Sequence, residues 1–304
     1  MEYPKDYLEI IKRNMENKYK EYLELNKRLY DLVTSAIEQI NAKGLRDKEL
    51  SLFSLIVISM LAKTRKHYNS IQELCKLGFG EEAGIIVRSM TNALIDLAYI
   101  SKRGKKVLSE RWVRFDWIIK GQKTEIAEMM DKLCKVPSLK GEELKKWEER
   151  KKEIRAHIDE FRKDYKSEQT KHDWSGYSIK TKAEKAGKGP ELLYHTVYRY
   201  NSDIEHSNAA ALDKYIDDGT PKKIQFLSEP GESHVEENLR ESFNVFLRIA
   251  VIFFEQFGLK DFKKKTGGLT KDFLKLYNKN IGEKMGSELF FGINKTGEFP
   301  RHST

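Results

Sequence analysis

Apolar residues recur at steps of three and four along most of this chain, and that period constrains the fold more than any other feature. The first segment shows it at Leu8, Ile11, Met15, Tyr19, Tyr22, Leu25, Leu29, Leu32, Ala36 and Ile40. Such spacing collects apolar side chains on one face of an α-helix. It predicts one long amphipathic helix that is ended by Gly44.

The same period predicts further helices over 48–65, 79–102, 105–135, 141–169, 191–216 and 236–257, and a short helix that ends at Gly78. The 141–169 segment is highly charged with a narrow apolar stripe, so we expect it to project from the body or to lie against it as one arm of a hairpin. Alternation typical of strands does not extend beyond a few residues. The predicted fold is all-α: an irregular bundle of about eight helices with a long charged flanking helix or hairpin.

Glycine and proline positions, together with charge, suggest how the chain is divided. A single helical domain is predicted over residues 1–258, including the charged helix 141–170 and a Lys- and Gly-rich loop over 171–190. A basic extension, 259–304, follows. Lys and Arg number 56 against 47 Asp and Glu, a net charge of +9, which favours acidic partners such as RNA. Within the extension, Lys263, Lys264 and Lys265 either hold a nucleic-acid backbone or form an ordinary solvated face.

The composition also bears on compartment and cofactors. Cys75 and Cys134 lie far apart without a CxxC pair, and the N-terminus lacks the apolar core of a signal peptide. The longest apolar run, 50–62, is too short to span a bilayer. We therefore predict a cytoplasmic protein that does not contact a membrane. The histidines are scattered without metal-ligand spacing, so neither a metal nor a cofactor is predicted.

A polar stripe on the predicted helix 191–216 is the strongest functional lead. At about 100° per residue, His195, Arg199, Ser202 and His206 fall in a narrow arc, with Asp203 close to Arg199. The stripe offers a permanent cation, a hydroxyl and two imidazoles that titrate near neutral pH. This set suits phosphodiester cleavage, in which a histidine moves the proton and an arginine stabilises charge on the phosphate.

Two other interpretations of the stripe stay open. Ser202 and His206 can be buried structural groups bonded to a neighbouring helix, with Arg199 and Asp203 forming a local ion pair. Ser202 can also be a hydrolase nucleophile with His206, although a straight helix lacks the sharp turn that usually exposes such a serine.

A second polar stripe, formed by Arg88, Asn92 and Asp96, lies on the otherwise apolar helix 79–102. An unpaired buried charge is costly, so these groups need partners. We predict that the two stripes face each other and that Asp96 orients the imidazole of His206. The alternative is that Arg88 pairs with Asp96 or a neighbouring helix only to satisfy its charge.

Arg199 and His206, with six residues between them, resemble the Arg-x(4–6)-His motif of the HEPN superfamily (higher eukaryotes and prokaryotes nucleotide-binding), which includes many metal-independent RNases. The resemblance implies an RNA endonuclease in which Arg199 and His206 are catalytic and Ser202 or Asp203 supports them. It also implies a homodimer that brings two motifs together. Tyr200 follows the arginine here, where the superfamily prefers Asn, Asp or His.

A wider likeness, over residues 45–255, is to an uncharacterised bacterial all-helical family. It rests on the IVRSMTNALIDLAYI segment around Arg88 and on a Tyr198-x3-Ser202-x3-His206 pattern preceded by a Trp174-Ser-Gly loop. Members are often found among prophage and defence genes, which implies an RNase toxin or anti-phage effector. The alternative is a non-catalytic scaffold or sensor of a defence or toxin–antitoxin locus, which binds a nucleotide or a partner protein from the same locus.

Overall fold

The computed structural model describes residues 6–44, 50–134, 139–165, 173–206, 215–217, 225–226 and 229–281. The helices are α1 (Tyr7–Lys18), α2 (Lys20–Lys43), α3 (Leu52–Lys76), α4 (Gly80–Arg103), α5 (Lys105–Arg114), α6 (Asp116–Cys134), α7 (Gly141–Asp164), α8 (Ile179–Ala186), α9 (Lys188–Leu193), α10 (Arg199–Glu205), α11 (Val235–Gln256) and α12 (Lys260–Ile281). Two-residue strands, β1 (Ile216–Asp217) and β2 (Gln225–Phe226), pair antiparallel. The predicted all-α class is confirmed.

Three helices, α3, α4 and α11, pack against one another to form the centre of the bundle. Their contact surfaces are aromatic and aliphatic: the ring of Tyr68 on α3 stacks on Phe246 of α11 at 4.3 Å between centroids. On its other side, α11 packs against α2 and α12, where Phe243 and Phe273 stack at 4.8 Å. Burial of this apolar surface is the main force that assembles the helices.

Helix boundaries differ from the predictions near the N-terminus. The expected single helix over 8–40 is broken at Tyr19, because α1 packs against α3 while α2 packs against α11 and α12. In contrast, the helices expected over 48–65 and up to Gly78 are one helix, α3. Ser51 caps it by accepting a 3.1 Å hydrogen bond from the backbone N–H of Ser54.

The charged segment forms a flanking hairpin, as predicted. Antiparallel helices α6 and α7 pack on each other, and α6 joins the body through α5. The ring of Trp117 stacks on His157 at 4.1 Å, and Phe115 meets Phe161 edge-on at 6.1 Å. Gly121 allows the close approach, because a Cβ there would meet the side chain of Ile158. We refer to α6 and α7 together as the arm.

Two regions are more helical than the sequence suggested. Part of the expected loop over 171–190 is α8, which Ser178 caps by accepting from the N–H of Thr181. Residues 260–281 of the expected basic extension form α12, whose Phe273 is fully buried against α2 and α11. The remainder of that extension, 282–304, lies outside the described residues.

Helix α4 bears on whether the described part of the chain crosses a membrane. It is the one helix there with enough length and apolar character to cross a bilayer, and 67% of its apolar window is buried in the bundle. Such burial is typical of the core helix of a soluble protein.

Candidate functional site

The helix that carries the predicted stripe is interrupted by a π-helical turn over Tyr194–Tyr198, between α9 and α10. Within it, the backbone N–H of Arg199 donates to the carbonyl of Tyr194, five residues earlier. The rings of Tyr194 and Tyr198 stack at 5.4 Å and 21°. Because a π turn holds more residues than an α turn, His195 is displaced from the position that a straight helix would give it. Such turns are frequent at functional sites.

Arg88 of α4 reaches across to this helix. Its guanidinium lies 4.5 Å from the centroid of the Tyr198 ring and donates a 3.0 Å hydrogen bond to the Tyr198 hydroxyl. It also forms an ion pair with Glu205 at the end of α10. Cation–π and ionic contacts therefore hold Arg88 against the π turn and α10, so the partner of Arg88 lies on a neighbouring helix, as the alternative interpretation allowed, and is not Asp96.

Glu205 links Arg88 to His206. The Glu205 Oε2 atom, which pairs with Arg88, is also 4.0 Å from Nε2 of His206. The His206 side chain is 64% exposed, whereas that of Arg88 is only 17% exposed. We call Arg88, Tyr194, Tyr198, Glu205 and His206 the Arg88 cluster. It offers a held guanidinium, a carboxylate and an accessible imidazole within one surface region.

The other predicted stripe residues lie along the same helix. Arg199 begins α10 and is exposed, while Ser202 and Asp203 are partly buried. The backbone N–H of His206 donates to the carbonyl of Ser202 at 3.0 Å. The exposed ring of His195 contacts the edge of Tyr194 at 5.1 Å. Sequence reasoning did not single out Glu205, although its place beside His206 could have suggested it.

Asp96 belongs to a different, buried cluster. The Nζ atom of Lys182 on α8 lies 2.6 Å from Asp96 Oδ1 and 2.8 Å from Asp173 Oδ2, and Lys182 is 2% exposed. The prediction that Asp96 orients the His206 imidazole is therefore wrong, because its carboxylate is engaged by Lys182. Asn92, the third member of that stripe, is exposed on α4.

The pKa values of this Lys182 cluster, defined as Asp96, Asp173 and Lys182, reflect its burial. Burial raises the pKa of Asp96, and Lys182 opposes that shift. Burial alone would lower the pKa of Lys182, but the two carboxylates outweigh it and hold that pKa above its usual value. The cluster thus keeps the ammonium charged inside the protein and fastens α8 to α4.

The opposite face of α10 is packed closely on α4 and α11. Asn201 is fully buried and donates from Nδ2 to Glu241 Oε2 at 3.3 Å. Its Oδ1 lies against the backbone of Gly84, where a Cβ would collide with it. Burial raises the pKa of Glu241 to about 7, while Arg240 and Asn201 oppose the shift. No sequence pattern marks this contact, since Asn201 is one polar residue among many in that helix.

The predicted nucleic-acid lysines lie on another part of the bundle. Lys263 pairs with Glu255 at 2.7 Å, and the Nζ of Lys265 lies 5.3 Å from the Phe262 ring centroid. Together with Lys264 they belong to α12, which packs mainly on α2 and α11, whereas the Arg88 cluster lies on α4 and α10. The structure therefore does not bring the two sets together.

A cavity of about 610 Å³ lies between α1, α2 and α3, apart from every predicted site residue. At its base, Asn26 Oδ1 accepts hydrogen bonds from the Tyr68 hydroxyl at 2.5 Å and from Gln72 Nε2 at 3.2 Å. Opposite charges pair at its rim, as in Lys27 and Asp31 at 2.7 Å. The cavity thus lacks the concentrated positive charge that a phosphate group would need.

The described ranges contain His, Cys, Asp and Glu side chains, which are the usual protein ligands of metal ions. Among those residues, no group of three or more His, Cys, Asp and Glu side chains is arranged to hold a metal ion.

Comparison with known proteins gives one result. A model of a family of unknown function, DUF5677, matches residues 54–224, more than half of the chain. The match includes α4, α8 and α10, and with them the Arg88 and Lys182 clusters. No curated protein and no solved structure matches the chain. This chain is accordingly a member of the DUF5677 family of unknown function.

Proposed function

We propose that the protein is a metal-independent RNA endonuclease of HEPN-like type, acting as a toxin or anti-phage effector, with the Arg88 cluster at its active site. One observation carries the proposal: Glu205 joins a guanidinium from α4 to an exposed imidazole at the end of α10. A cation, and an imidazole that can accept or donate a proton, are groups that assist cleavage of RNA by its own 2′-hydroxyl.

The reaction is an internal transesterification. The ribose 2′-oxygen attacks phosphorus, the bond from phosphorus to the 5′-oxygen breaks, and the products carry a 2′,3′-cyclic phosphate and a 5′-hydroxyl. His206 takes the proton from the 2′-hydroxyl while water protonates the leaving 5′-oxygen, or it protonates the 5′-oxygen while water takes the proton of the 2′-hydroxyl. Arg88, displaced from Glu205 by the substrate phosphate, and the exposed Arg199 stabilise the charge that develops on phosphate.

The aromatic side chains beside Arg88 support RNA as the substrate. Tyr194 and Tyr198 stack on each other, and the guanidinium of Arg88 covers the Tyr198 ring. Proteins that bind single-stranded RNA commonly stack unpaired bases on tyrosine rings and guanidinium planes next to cationic groups. An unpaired nucleotide can therefore place its base on the Tyr194 ring while its phosphate meets Arg88. Ser202 and Asp203 act as supporting residues on the same helix.

The test compares His206→Ala with His157→Ala in cleavage of single-stranded RNA in the presence of a chelator. We expect His206→Ala to lose about 10²- to 10⁴-fold in rate and Arg88→Ala about 10²-fold or more. His157 is a matched control, because it is a histidine on the arm whose side chain is 40% exposed. Products should carry the cyclic phosphate. Full activity of folded His206→Ala would contradict the proposal.

A non-catalytic binding module is the second candidate, and the pairing of Arg88 with Glu205 favours it. A guanidinium that already has a carboxylate partner can serve as a recognition element that exchanges one anion for another. In that case the wild-type protein binds a nucleotide, RNA or a partner protein from the same locus through the Arg88 cluster without cleaving it. Arg88→Ala would then weaken binding, and His206→Ala would leave any toxicity in cells unchanged.

A further inference from the structure

An apolar stripe runs along the outer face of α6. Ile126, Met129, Met130 and Leu133 are 55%, 51%, 49% and 69% exposed. Four large apolar side chains exposed within eight consecutive residues form a patch of the kind that marks an interaction site. Methionine adapts its shape to a partner, which suits such a surface.

The other face of α6 is already occupied by α7. Gly121 lies against Ile158, and Glu128 pairs with Lys151 of α7 at 2.9 Å. Helix α6 therefore has two faces with different roles: one closes the arm, and the other presents the stripe to solvent within the described part of the chain. Ile118 of α6 and Phe161 of α7 already belong to the apolar core, so the stripe is apolar surface that neither the core nor α7 covers.

We propose that the stripe is the contact between two copies of this chain, in which the two α6 helices pack antiparallel and the two arms form a four-helix bundle. Ile126, Met129 and Leu133 follow the three-and-four spacing of the a and d positions in a coiled coil. Met130 widens the stripe by one position. The inference concerns the arm alone and does not depend on the proposed function.

Charge complementarity favours a second copy of this chain, in antiparallel orientation, as the partner that covers the stripe. Glu125 and Lys132, both exposed, flank the stripe on the same side, each immediately before an a position. Let Ile126 of one helix pack opposite Met129 of the other in antiparallel orientation. Glu125 of the first helix and Lys132 of the second then differ by only about 3 Å in their position along the helix axis. Glu125 of each copy then lies beside Lys132 of the other, so the two-fold axis generates the pair twice. Parallel packing would not bring these two positions together.

The first experiment measures mass by light scattering after size exclusion. We expect the wild-type chain to have twice its 35.6 kDa monomer mass and Ile126→Glu to be a monomer with unchanged helical circular dichroism. Val107→Glu is the control, because Val107 is a 61% exposed apolar residue on α5, outside the stripe. A monomeric wild-type chain, or a dimer unaffected by Ile126→Glu, would overturn the proposal.

The second experiment reverses the charges. Glu125→Lys alone and Lys132→Glu alone each create two like-charge contacts and should raise the dissociation constant about tenfold or more. The double variant, Glu125→Lys with Lys132→Glu, should restore association to near the wild-type level. Failure of the double variant to recover would overturn the antiparallel register. Light scattering measures association without any RNA substrate, and the cleavage test of His206→Ala leaves Glu125 and Lys132 unchanged, so failure of this proposal and failure of the proposed function are distinguishable.

Discussion

The Lys182 and Arg88 clusters both use charged groups to join α4 to the chain between residues 173 and 206, yet their cations differ in burial. In the Lys182 cluster the cation is 2% exposed between two carboxylates. In the Arg88 cluster the ion pair is partly exposed, with Arg88 at 17% and Glu205 at 34%, and it ends in a 64% exposed imidazole.

That difference fits a structural role for the Lys182 cluster and the chemical role that we propose for the Arg88 cluster. Removing one member of a buried ion pair strands the other charge in a medium that solvates it poorly. The Lys182 cluster therefore cannot exchange partners without unfolding its surroundings. The partly exposed Arg88–Glu205 pair is screened by water and salt, so that a substrate phosphate can replace the carboxylate at little cost. The following predictions test this contrast, from the largest effect to the smallest.

Lys182→Ala should cause the largest loss, about 3–5 kcal/mol in the free energy of unfolding, because it leaves Asp96 and Asp173 without their cation. Urea unfolding followed by circular dichroism measures it. Lys180→Ala is the matched control two residues away, where the side chain is 54% exposed and pairs with Glu184 at 3.7 Å. A loss for Lys182→Ala as small as that of the control would contradict the assignment of a structural role.

The contact of Glu241 with Asn201 should make the stability of the α10 region depend on pH. The pKa of Glu241 is about 7 in the folded protein against a usual value of 4.5, so folding favours its protonated form. This stabilisation is complete below about pH 4.5 and is lost as the pH rises to about 7. Between these pH values the free energy of unfolding of the wild type should therefore fall by about 3 kcal/mol relative to that of Glu241→Gln.

Unfolding free energies of wild type and Glu241→Gln, measured across that range, give the difference directly. Glu24→Gln serves as the control, because the Glu24 side chain is 63% exposed on α2. A difference between wild type and Glu241→Gln that does not change with pH would show that burial does not hold this carboxyl in its protonated form.

The all-α class and the flanking hairpin could be predicted because apolar spacing is a property of local sequence. Gly121 and Trp117 illustrate what spacing omits: they decide how α6 meets α7, and only the facing residues of α7 explain them. Likewise, nothing local indicates that α1 ends at Lys18, because that break follows from the different helices on which α1 and α2 pack.

For the candidate site, the sequence could show which charged groups needed partners but not which residues would be those partners. Arg88 and Asp96 on an apolar helix both required partners, and that inference was sound. Their partners, Glu205 and Lys182, are distant in sequence: Lys182 lies 86 residues from Asp96, and Glu205 is still farther from Arg88. Tertiary packing brings each pair together, and neither partner stands out among the many charged residues of the chain. The π turn at Tyr194 was equally hidden, because it alters the helix without a glycine or proline to mark it.

The smallest expected effect is the coupling between Arg88 and Glu205, and it tests the contrast most directly. A double-mutant cycle with Arg88→Ala and Glu205→Ala, measured by urea unfolding, should give a coupling free energy of about 0.5–1 kcal/mol. This coupling should fall in about 1 M salt. The same cycle on Lys182 and Asp96 should give a larger coupling that salt changes little, because water and ions do not reach that pair. If the Arg88–Glu205 coupling is equally large and insensitive to salt, the pair is a structural fastening. The guanidinium would then not be available to a phosphate, and the Arg88 cluster would lose its place in the proposed reaction.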